Sequence, residues 1–211
     1  MGPATYYIEG LFRQANAAYA REYLGIGPND VLNIGYIVQN IPLWNDVRIP
    51  MSSTRPSVAS APVATPFQGT VYAYRWDNPG AQRSLYFEIQ IPHGFNQDPA
   101  YGIRLHIHWS CASNMSGLGV VEWGVEATTA NIAGAFGGTL TYYGTGATTQ
   151  AYQHVVTPIN TFTGLTESAV IVGRLFRSDA GGDTYAGNDV YGLSLDAHYV
   201  VQQTGSTEEI P

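Results

Sequence analysis

Two imidazoles at strand spacing are the first chemistry this chain offers. In IRLHIHWSC, over 103–111, His106 and His108 are separated by one residue. On a β-strand both rings leave the same face, so they could grip one metal ion. A third ligand would come from a neighbouring strand, with Glu122, His154 and His198 as the candidates. The other reading makes the two histidines polar residues of a sheet face, paired with Glu88, Glu122, Asp196 or an interface neighbour. Short motifs of this kind often arise by chance, so the sheet-face reading is preferred and no metal or other cofactor is expected. Arg104, Glu122, Glu126 and Asp196 would then form a polar network with the histidines. Charges on a face covered by another subunit must be paired.

The metal reading has a cupin-like form, a jelly roll with an H-x-H motif and a carboxylate shortly after. Here the nearest downstream carboxylate is Glu122, beyond the usual short gap. Cys111 falls in phase with Ile107 and Trp109, opposite the histidines. That phase buries the thiol away from cations and makes it a poor nucleophile. Asp179, Asp183, Asn188 and Asp189 cluster in SDAGGDTYAGND, where hard oxygens on a glycine-rich loop could suit calcium. Asx-turns explain the same residues without an ion and are preferred. No G-x-S-x-G, phosphate-loop or dinucleotide fingerprint occurs, and the chain reads as a non-enzyme.

The elements that would position these residues are strands. SLYFEIQIP at 84–92 alternates, with Leu85, Phe87, Ile89 and Ile91 on one side. IRLHIHWSC alternates likewise, and LGVVEWGVEAT at 118–128 gathers Val121, Trp123, Val125 and Ala127. Further strands are expected at 69–76, near 140–143, in QHVVTPI, at 168–177 and at 190–203. Roughly seven or eight short strands with no helices between them predict an antiparallel sandwich of jelly-roll type.

The one helical stripe lies at 5–24, where Tyr7, Leu11, Ala15, Tyr19 and Tyr23 recur at helical spacing. Gly25, Gly27 and Pro28 end it. The proline-punctuated stretch 52–68 reads as extended chain, either a long loop or an interchain arm. The division expected is an N-terminal helix and arm, 1–42, followed by a sandwich domain, 43–211.

Composition narrows the partners. All nine basic residues are arginines, against 16 acids, for a net charge of −7. So few cations cannot neutralise a run of phosphates, and neither nucleic acid nor an anionic membrane surface is expected as a partner. The opening MGPATYYIEG has no signal-peptide pattern, and no apolar run approaches the length of a membrane span. The single cysteine excludes an intrachain disulfide. With 15 Tyr and 4 Trp, aromatic side chains are available for subunit interfaces.

Several segments in order resemble a family of small tailed-bacteriophage virion proteins. They are LWNDVRIPMSSTR near 43–55, SLYFEIQIPHGF at 84–95, IRLHIHWS at 103–110, VEWGVEAT at 121–128, and VGRLFRSDAGGDTYAGNDVYGLSLDAHYVVQQTGS at 172–206. The chain departs from the family pattern at IRLHIHW, where Arg104 and Leu105 replace a proline-containing stretch. The resemblance implies a particle component located in the virion and supplies no catalytic residues. The expectation is a capsid decoration (cement) or head-fibre-base protein, working as a homo-oligomer, a trimer by preference, against the major capsid protein or other virion proteins. Tyr7, Leu11, Tyr19, Trp44, Arg48 and Arg55 are the expected interface residues. A tail, neck or baseplate adaptor, or a fibre domain touching host glycan, is the runner-up.

Overall fold

The computed structural model describes residues 43–77, 79–113, 119–185 and 188–201. The helix expected at 5–24, with Tyr7, Leu11 and Tyr19, lies outside these residues, as does the tail beyond 201. Among the described residues the protein is all-β, with two short 3₁₀ turns and no α-helix.

The strands are β1 (Leu43–Pro50), β2 (Arg55–Pro56), β3 (Val63–Gln68), β4 (Val71–Trp76), β5 (Ser84–Gln90), β6 (Ile103–Cys111), β7 (Val120–Ala130), β8 (Leu140–Ala147), β9 (Val155–Phe162), β10 (Val170–Arg177) and β11 (Val190–Val201). They form two antiparallel sheets, making a β-sandwich. Sheet I runs β3-β4-β11-β6-β9, and sheet II runs β2-β5-β10-β7-β8. β1 joins sheet I on β11. Because β6 takes the opposite edge of β11, β1 and β4 share one edge end to end. From β4 onward every connection changes sheet except the β7–β8 hairpin.

Period-two alternation builds the core. Leu105, Ile107 and Trp109 from β6 are sealed, as are Val121, Trp123 and Val125 from β7 and Leu85 and Ile89 from β5. Trp123 meets Trp76 edge-on, with centroids 5.2 Å apart, and Trp109 at 6.3 Å. A register shift between Gly192 and Ser194 adds one residue to β11 and reverses its phase. Val190 points inward before the shift, and Leu195 and Ala197 do so after it. The shift therefore sends Ser194, Asp196 and His198 to the outer face, alongside the outward side chains of β6.

Part of the stretch 52–68, expected as extended chain or an interchain arm, belongs to the sandwich as β2 and β3, and β1 precedes it. β1 pairs with β11 along eight residues, from Leu43↔Val201 to Pro50↔Ser194. β2 and β3 close the edges of the two sheets. Proline lacks the donor that an interior strand needs, so Pro56 and Pro66 are tolerated at these edges.

Candidate functional site: a histidine–carboxylate face

Four of the five histidines gather on the outer face of sheet I. Strand pairing places them. Asp196 stands opposite His106 on β6 and Arg48 on β1, while His198 stands opposite Arg104 and Asp46. His108 is opposite Ser194, and His154 lies just before β9. His106 and Asp196 are buried although they point away from the core, because neighbouring rings cover them. The His106 and His198 rings meet edge-on with centroids 4.1 Å apart, and His106 and His108 lie 5.3 Å apart.

The polar contacts form two lines. His108 Nδ1 and His154 Nε2 are 2.7 Å apart, and the rings are stacked. One nitrogen must donate and the other accept, so the pair cannot carry two protons at this contact. His108 Nε2 then approaches Asp196 Oδ2 at 3.2 Å, but off the hydrogen-bonding direction. In the second line His198 Nε2 lies 2.8 Å from Asp46 Oδ1. Arg48 Nε is 3.7 Å from Asp196 Oδ2, a loose contact from a side chain that is mostly exposed. Asp196 Oδ1 is sealed and has no hydrogen-bond partner among the described residues.

Burial lowers the pKa of His106 from its ordinary value, helped by the charges of His198 and His108 and opposed by Asp196 and Asp46. Burial also lowers that of His108; Asp196 pulls the other way without reversing the shift. Both rings are therefore neutral at pH 7, as a metal-binding imidazole must be. A shallow cleft of about 370 Å³ adjoins the cluster, bordered by Arg48, Pro50, His108, His154, Leu193 and Ser194.

The expected residues separate into two groups. His106, His108, His154, His198 and Asp196 do come together. Glu122 does not join them: β7 carries it in sheet II, where it lies against Gly182 in the loop after β10. Glu126 is also on sheet II and pairs with Arg174. The single polar network expected is thus split between two sheets. Arg104 stays on sheet I, its guanidinium 4.2 Å from the ring centroid of Trp44. Arg55 is exposed on edge strand β2. Cys111 is buried, as its phase requires, and burial raises its thiol pKa.

Two aspartates of the loop after β10 hold arginines, and Asp179 accepts from Gln82. Asp183 holds Arg177 with two hydrogen bonds, while Asp189 takes Arg75 at 3.1 Å. The remaining Arg177 donors reach the carbonyls of Trp76, Asn188 and Tyr185. All five guanidinium N–H groups are thereby satisfied. Sequence reasoning missed this clamp and also missed Asp46 as the partner of His198. The available signal was D-x-R in β1 facing D-x-H in β11, since opposite charges pair across antiparallel strands.

The architecture and the site together define a two-sheet antiparallel sandwich with a histidine–carboxylate cluster on the outside of one sheet. No protein-family model and no curated protein matches the chain. Among solved structures, it is similar to a CBM36-1 domain of a multidomain xylanase from the hindgut metagenome of Trinervitermes trinervoides. That likeness has 10% identity and a TM-score of 0.42, over 72% of this chain and 96% of the other. A structure of infectious bursal disease virus, Gx strain, gives 11% identity and a TM-score of 0.37, over 75% of this chain and 32% of the other. The stem and receptor-binding domain of spike protein P1 from bacteriophage PM2 gives 14% and 0.24, over 70% and 66%. Likenesses this distant carry no argument about function.

Proposed function

We propose that this protein is a virion structural component of a tailed bacteriophage, a jelly-roll building block that acts through contacts with its own copies and with other particle proteins. The observation that carries the reading is the pairing of the two most distinctive segments of the resemblance. W-N-D-V-R lies on β1 and D-A-H-Y on β11, antiparallel and in register. Asn45 Nδ2 donates to Tyr199 Oη at 3.2 Å, Asp46 meets His198, and Arg48 meets Asp196. The residues that mark the family resemblance are thus spent on joining two strands. The jelly-roll form is supported by the orders β4-β11-β6-β9 and β5-β10-β7-β8 with their alternating sheet crossings.

The narrower role is capsid decoration or head-fibre base, as a homotrimer whose many weak contacts add up over a shell. Quantitative mass spectrometry of purified particles tests it. On the order of hundreds of copies is the expected result for repeated display on a shell. A copy number of about a dozen or fewer would move the protein to the tail or neck. Absence from particles would overturn the virion reading.

A further inference from the structure

We propose that His106, Asp196 and His198 form a zinc site on the outer face of sheet I, bridging its central strands β6 and β11. This goes beyond the assembly role and does not rest on it.

The geometry supplies the donors. One ligand atom from each of the three residues lies within 4.8 Å of the other two. In a tetrahedral zinc complex with bonds of roughly 2.0–2.1 Å, ligand atoms lie about 3.3 Å apart. The cluster therefore has to contract modestly on binding. His198 can supply that movement, since it is the most exposed of the three. Asp196 supplies the second, independent observation. Its side chain is only 2% exposed, and Oδ1 has no hydrogen-bond partner among the described residues. A sealed carboxylate oxygen without a donor is costly, and a cation beside it removes the cost.

The donor set selects the ion. Two imidazoles and one carboxylate suit zinc and its transition-metal neighbours, whereas calcium and magnesium want oxygen ligands throughout. Three protein ligands leave a fourth position for water or a partner's side chain. His198 also carries a carboxylate neighbour in Asp46, an arrangement that orients metal-binding imidazoles elsewhere. The surrounding charges balance in number: Arg48 stands opposite Asp196, and Asp46 and Arg104 stand opposite His198 on its two sides. His108 borders the triad: its Nδ1 is taken by His154, and its Nε2 lies 3.2 Å from Asp196 Oδ2.

The test uses the full chain, stripped with chelator and titrated with zinc sulfate by calorimetry. Cobalt(II) absorption provides a second readout of coordination geometry. One equivalent of zinc per chain and an intense tetrahedral cobalt spectrum are expected. His106→Ala and His198→Ala should each abolish the stoichiometric site. His93→Ala should keep it, because that ring bonds Ser168 instead. The partly exposed His198 is the safer variant to fold, with circular dichroism as its check. No saturable binding at one equivalent would overturn the proposal. So would unchanged binding in the His106→Ala/His198→Ala double variant, or loss that follows His108 and His154 instead.

Discussion

Asp183 grips the Arg177 guanidinium at 2.7 and 3.0 Å, and both side chains are sealed from solvent. Asp183 also accepts backbone N–H groups from Glu122 and Tyr185, so one carboxylate ties the loop after β10 to both β10 and β7. Removing one member of a buried, hydrogen-bonded ion pair leaves the other charge uncompensated and costs about 3–5 kcal/mol. Asp183→Ala should lower the urea midpoint accordingly. Arg177→Met, which removes the charge but keeps much of the volume, should also destabilise by stranding Asp183. In the double variant the two losses should fall well short of adding, because neither charge is left alone. Additive losses would show that the pair is not coupled.

A second expectation concerns close approach between the sheets. A Cβ placed on Gly144 of β8 would fall inside the Pro158 carbonyl of β9. The obstacle is backbone, so it cannot swing aside as a side chain would. Gly144→Ala should cost about 1–3 kcal/mol, the range for forced overpacking. Gly137→Ala, where a Cβ would meet nothing, is the matched control. Thermal melts of the two variants make the comparison, and equal melting points would count against a tight β8–β9 seam.

The acid side of stability should follow the buried histidines. In the folded chain the pKa values of His106 and His108 lie below the ordinary 6.5, with burial as the leading cause. Between the lowered folded value and 6.5 the unfolded chain binds more protons, so stability rises with pH across that window. Their contribution is fully present above pH 6.5 and is lost as pH falls through the folded value. Chelator-treated protein should therefore show a falling urea midpoint from pH 7 to pH 5. His106→Gln should flatten that slope. A flat profile in the parent chain would contradict the burial argument.

The strands with a dry face were legible because alternation is a physical consequence of burial. β6 matches the expected bounds of 103–111, and β5, β7, β10 and β11 differ only at their ends. β1 was not legible, since only Ile49 along its length is buried and its residues carry little alternation. Proline at 56 and 66 reads as extended coil unless one knows that the strand is an edge. The grouping of His106 with His198 was open to sequence reasoning as a possibility. Excluding Glu122 was not, because period two says which face a residue takes and nothing about which sheet its strand joins.

The last expectation separates the sandwich from what precedes it. β1 starts at Leu43, so a chain beginning there retains every described strand. Such a truncation should fold with the β-rich circular dichroism of the parent and melt cooperatively, while failing to join its assembly if residues 1–42 are the attachment element. Removing residues 43–50 as well should be far more damaging. It exposes the β11 edge from Ser194 to Val201 and strips Asp46 from His198, Arg48 from Asp196 and Asn45 from Tyr199. An unpaired hydrophobic strand edge also invites aggregation, so the shorter chain should elute as large species on size-exclusion chromatography. If both truncations melt alike, β1 contributes nothing to the fold, and the pairing of W-N-D-V-R with D-A-H-Y loses its structural meaning.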